Sequence, residues 1–133
     1  MKRGMSVNRK EEVASIEEYV RAYNSFDIEG IVELLHPDIV FRNVANGEVT
    51  VETHGIEPFQ QLAQQSAGLF SSRRQTILQY IESDGSIEIE IDYEGTLALD
   101  LPNGLKAGDK IQLTGKSIFT FTNGKISSIE DHS

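Results

Sequence analysis

The chain contains no cysteine and no tryptophan, and it has only three prolines and two methionines. Without cysteine there is no disulfide, no thiolate metal site and no cysteine nucleophile, a composition that fits a reducing, cytoplasmic setting. Long apolar runs are missing as well. The polar start Met1-Lys2-Arg3-Gly4 lacks the apolar stretch of a secretory leader, and no segment is long enough to span a membrane. Histidine is scarce: His36, His54 and His132 have no zinc spacing, and none joins a serine or aspartate in a nucleophile motif. Neither a metal nor a cofactor is expected. Positive charge is outnumbered, with 12 Lys and Arg against 21 Asp and Glu, and the net charge of −9 opposes a phosphate backbone. With basic clusters only at Lys2-Arg3, Arg9-Lys10 and Arg73-Arg74, nucleic acid is not an expected partner.

The 133 residues suffice for one core, and their apolar members are spread along the chain. A single domain over 8–133 is expected, preceded by a flexible segment 1–7. From Asn8 to Phe26 the residues Val13, Ile16, Val20 and Tyr23 recur at helical spacing, widened by Tyr19 and Phe26, which predicts an amphipathic helix starting at Ser6 or Asn8. Asp27 stands as N-cap of a second short helix with Ile28, Ile31, Val32 and Leu35 on its apolar face. Pro37 ends it. A third helix is predicted from Ile56 to Phe70, with Pro58 in its first turn.

Strands account for the remainder. Ile39 to Ala45 and Glu48 to Thr53 flank the tight turn Asn46-Gly47. Arg74–Ser83, Ser86–Asp100, Lys110–Thr122 and Lys125–Asp131 follow, separated by Asp84-Gly85, Pro102-Asn103-Gly104 and Asn123-Gly124. Strands joined by tight turns run antiparallel. The expected fold class is therefore α+β: three N-terminal helices packed on a curved, mainly antiparallel sheet, a cystatin-like cone roll enclosing a pocket.

Strand alternation sorts the side chains between cavity and solvent. Ile87, Ile89, Ile91 and Tyr93 face in; Glu88, Glu90, Asp92 and Glu94 face out, as a solvated row rather than a cation site. Ile111, Leu113, Phe119 and Phe121 share a face with Gly115 and Ser117, so a hydroxyl points into an apolar interior. Ser117 is either a satisfied core serine or a group that meets a ligand. Asn43 shares parity with Ile39 and Phe41 and either orients a ligand oxygen or holds the adjacent turn. Tyr19 and Tyr23, four apart, stand on one helix face as pocket wall or plain core. His54, before Gly55 on the way into the third helix, closes the cavity mouth or caps local structure.

Three segments resemble the nuclear-transport-factor-two-like superfamily, in its SnoaL-like and ketosteroid-isomerase-like branch. These are Glu18 to Asp27 with Ile31 to Asp38, the step His54-Gly55, and Gly115 to Ile126. By this resemblance Tyr19 matches the phenol that donates to the oxyanion in ketosteroid isomerases. Asn43 falls where those enzymes carry the general-base aspartate, and Ser117 falls at or near a functional aspartic acid. Both carboxylates are replaced here. Asp131 remains as a candidate acid/base, although its place at the end of the last strand favours a solvated carboxylate.

The leading expectation is a SnoaL-like domain, a homodimer by family resemblance, that binds a small, largely apolar or polycyclic molecule. Tyr19, Tyr23, Phe41, Asn43, Ser117 and Phe119 form the expected pocket. The first alternative is an isomerase- or cyclase-like enzyme, free of metal, using Asp131 or His54 as a displaced acid/base. The second is a non-catalytic dimerisation or interaction module with a filled core, marked by a cavity clearly under the ~300 Å³ of ordinary ligand sites.

Overall fold

In the computed structural model, which describes residues 7–133, the elements run α1 (Val7–Asn24), α2 (Ile28–Val32), β1 (Leu35–Ala45), β2 (Glu48–His54), α3 (Ile56–Ala67), β3 (Phe70–Ser83), β4 (Ser86–Leu97), β5 (Lys110–Thr122) and β6 (Lys125–His132). Val7 already belongs to α1, and the rest of the segment expected to be flexible, 1–7, lies outside the described residues. The helices pack on one six-stranded sheet of order β2-β1-β6-β5-β4-β3. Every pair joined by a tight turn is antiparallel, because a two-residue turn reverses the chain. β1 and β6 are joined by most of the chain instead, and they pair in parallel.

Some boundaries differ from the expected ones for local reasons. Leu35 opens β1 rather than completing α2, and it is buried in the core; the ladder to β6 is irregular between Leu35 and Val40, which accommodates Pro37. α3 stops at Ala67, where Gly68 takes the C-cap position, so Phe70 begins β3. β4 stops at Leu97, whose amide donates to the Asp109 carbonyl while its own carbonyl accepts from Gly108, closing the loop that follows.

The core lies between α1 and the concave face of the sheet. Ile16, Tyr19 and Val20 meet Ile87, Ile89 and Phe119, as the strand alternation predicts. They also meet Ile126 and Ile129, which share the core despite odd spacing because Ser127 between them is the extra residue of a bulge. Leu113 is the exception among the inward-parity residues. It stands opposite Tyr93 on the concave face but is 52% exposed, because that end of the sheet opens to solvent. β3 is an edge strand, and an unpaired edge invites association. Here Asn24 covers part of it: its side-chain nitrogen donates to the Gln75 carbonyl at 3.1 Å, and its oxygen accepts from the Gln75 amide at 2.7 Å. The last residue of α1 is thereby fastened to the sheet.

Candidate functional site

The cone encloses a cavity of about 270 Å³ whose walls come from all three helices and from β1, β2, β3 and β6. Tyr19, Tyr23, Phe41 and Asn43 line it together with Phe59, Leu62, Arg73 and Asp131. A second compartment of about 190 Å³ shares Tyr23, Asn43 and Asp131 with the first and reaches Ser117 and Leu113. The interior is therefore not filled. Phe119 is fully buried behind Tyr19, ring centroids 5.4 Å apart and near perpendicular, so it supports the wall from behind and is not itself on the cavity surface.

Sheet register builds the polar part of the site. Asn43 is the β1 partner of Asp131, and Ser117 is its β5 partner, so three polar side chains stand in one row across adjacent strands. The Ser117 hydroxyl donates to Asp131 Oδ1 at 2.6 Å. The buried hydroxyl thus has its partner, and the partner is a carboxylate. Asp131 is partly buried and lines both compartments rather than pointing into solvent. The sequence reading that favoured a solvated carboxylate is corrected by β6 entering the middle of the sheet, where Ile129, two residues earlier, is in the core.

Burial raises the Asp131 carboxyl from its usual range to about 6, against the opposing pull of the Ser117 hydrogen bond and the nearby His132. The carboxyl consequently changes charge near neutral pH. Burial, with the Asp131 charge as a lesser cause, pushes the Tyr19 phenol well above its ordinary value, so it remains a proton-bearing donor. Burial also raises Tyr23, whose hydroxyl donates to that of Tyr93 at 3.3 Å.

Asn43 serves the hairpin as well as the cavity. Thr50 is the extra residue of a bulge in the β1–β2 ladder, and Asn43 Nδ2 donates to its hydroxyl at 3.0 Å. His54 is brought nowhere near the row. Its side chain is 65% exposed and its ring pairs with Glu52 at 2.6 Å, on the rim strand β2. His54→Ala is therefore expected to change affinity for a cavity ligand by less than about twofold, as measured by titration calorimetry. A larger loss would place the histidine at the cavity mouth.

One residue of the wall was not singled out from the sequence. Arg73, noted there only as half of a basic pair, is buried on the concave face. Its parity with Gln75 and Ile77 carries that signal, since both follow it toward the interior. Gly115 has a steric role: a Cβ there would lie 2.7 Å from the His132 carbonyl oxygen, so glycine lets β5 approach the end of β6 beside Asp131. Among the described residues, no three His, Asp or Glu side chains converge to hold a metal ion, and no helix is long and apolar enough to cross a membrane.

The profile of the SnoaL-like domain matches residues 16–129. No curated protein sequence matches the chain. Among solved structures, a proposed polyketide cyclase from Xanthomonas campestris superposes with a TM-score of 0.76 at 18% identity, covering 95% of this chain and 92% of that one. IdmH, a proposed polyketide cyclase from Streptomyces antibioticus, gives 0.73 at 19% identity, with 90% and 88% covered. A protein of ketosteroid isomerase-like fold from Catenulispora acidiphila gives 0.72 at 13% identity, with 90% and 84% covered. At such identities the likeness shows a shared fold, a cone of helices on a curved sheet.

Proposed function

The chain belongs to the SnoaL-like domain family, and from that premise we propose that it binds a small, largely apolar molecule in the cone cavity and moves a proton on it through Asp131. The observation that carries this reading is the place of the Asp131 carboxyl in the cavity wall, between Asn43 and Ser117, where burial pushes it up to about 6. A base of that strength suits proton transfer near neutral pH. In the ionised form Asp131 takes a proton from a carbon beside a carbonyl of the ligand. The Tyr19 phenol, which has no hydrogen-bond partner among the described residues, donates to the oxygen on which charge develops. The protonated carboxyl then returns its proton, to another carbon in an isomerisation or to the oxygen of the attacked carbonyl in a ring closure. Ser117 holds the carboxyl in place throughout.

The family positions taken by Asn43 and Ser117 flank Asp131 on either side, so the acid/base stands on the strand between them. The experiment is deuterium uptake from deuterium oxide by a panel of cyclic and polycyclic ketones, read by mass spectrometry. Uptake beside the carbonyl that depends on the protein is expected. Binding without uptake across the panel would leave the cavity as a carrier site only, a reading favoured by the amide and hydroxyl at the two family positions.

A further inference from the structure

Arg73 has no part in that proton transfer, yet it is the one buried arginine among the described residues, 6% exposed in the cavity wall. Burying a guanidinium costs several kcal/mol unless its charge is compensated. Its visible partners orient it without neutralising it. Nε donates to the Tyr23 carbonyl at 3.0 Å, in the last turn of α1. The guanidinium carbon lies 3.7 Å from the centre of the Tyr23 ring and 4.6 Å from that of Phe26. These contacts fix the plane of the group and leave it positive.

Among the described residues no carboxylate forms an ion pair with Arg73, in a chain with 21 acidic residues. Asp131 does not fill the role, because the groups that act on it are Ser117 and His132. Nε is committed to the Tyr23 carbonyl and the guanidinium also acts on the Tyr23 phenol, which leaves the remaining donors on the fork of its two terminal nitrogens. Such a fork matches the two oxygens of a carboxylate. Around it the wall is apolar, with Phe41, Phe59 and Leu62.

We propose that the ligand of this cavity carries a carboxylate, seated on Arg73, with its apolar body against Phe41, Phe59 and Leu62. The inference rests on the cavity binding a ligand at all, and it adds the chemical class of that ligand. It also assigns the two polar ends of the cavity different tasks: Arg73 anchors, Asp131 reacts.

The test compares naphthoate with its uncharged amide, naphthamide, by titration calorimetry at fixed ionic strength and pH 7.5. The wild-type protein is expected to bind naphthoate about tenfold or more tightly than naphthamide, as a bidentate charged contact implies. In Arg73→Met, whose stem still covers Tyr23, the preference disappears while naphthamide affinity stays within about threefold. Since Arg73 also holds the end of α1, circular dichroism checks the fold of this variant. Arg73→Lys, which keeps the charge without the fork, is expected to retain only part of the preference. Naphthamide binding as tightly as naphthoate to the wild type would overturn the carboxylate inference alone. Binding of neither would overturn the ligand reading and this inference together.

Discussion

Asp131→Asn is expected to unfold at higher denaturant concentration than the wild type at pH 7 to 8, by about 1–3 kcal/mol, while losing protein-dependent deuterium uptake by about a hundredfold or more. The two effects have one origin. The folded carboxyl titrates at about 6 against an ordinary 3.8, so folding favours its protonated form. The associated stability is fully present below about pH 4 and is lost as pH rises through about 6, where the buried group must ionise. Asparagine never ionises, and its oxygen still accepts the Ser117 hydroxyl, so the variant escapes that loss. Exposed Glu18 and Glu52, held below the usual carboxylate range by hydrogen bonds from Arg21 and Arg42, act in the opposite direction in both proteins. The difference between wild type and variant, followed by urea unfolding from pH 4 to 8, isolates Asp131. A difference that does not grow across this range would show that the carboxyl is not raised.

Phe119→Ala carries the largest expected cost in stability, about 3–5 kcal/mol. The ring is fully buried, it meets Tyr19 edge to face, and it joins α1 to the strand beside Asp131. A domain of this size has only about 5–15 kcal/mol of stability in total, so the loss leaves a marginal fold. Phe119→Met, which refills much of the volume with a flexible side chain, is expected to cost less than half as much. Denaturant midpoints compared at constant slope measure both. A cost under about 1 kcal/mol for the alanine variant would mean that the cone wall behind Tyr19 is not close-packed.

The sheet residues facing the core were legible from alternation because β4 and β5 keep a strict two-residue period over Ile87, Ile89, Ile91 and over Ser117, Phe119. The cavity positions of Tyr19, Tyr23, Phe41 and Asn43 follow from the same periodicities. The parallel partnership of β1 with β6 was not legible, since turn residues speak only for strands adjacent in sequence. Everything that depends on that partnership was hidden with it, above all the place of Asp131 between Asn43 and Ser117. Arg73 was obscured differently: a charged side chain in an edge strand reads as surface, and only the tertiary approach of Tyr23 and Phe26 buries it.

The position of β6 bears on how the molecule acquires its form. The sheet consists of a β2-β1 pair and a β6-β5-β4-β3 meander, and the parallel β1–β6 ladder is the seam between them. Each half can form from hairpins close in sequence, but the seam joins partners from opposite ends of the chain, such as Asn43 with Asp131. Closing such a distant pair costs chain entropy before any contact rewards it, which makes it a late and slow event in folding. Asp131 therefore arrives with the meander, already beside Ser117 through the β5–β6 hairpin, and it meets Asn43 only in the step that completes the sheet.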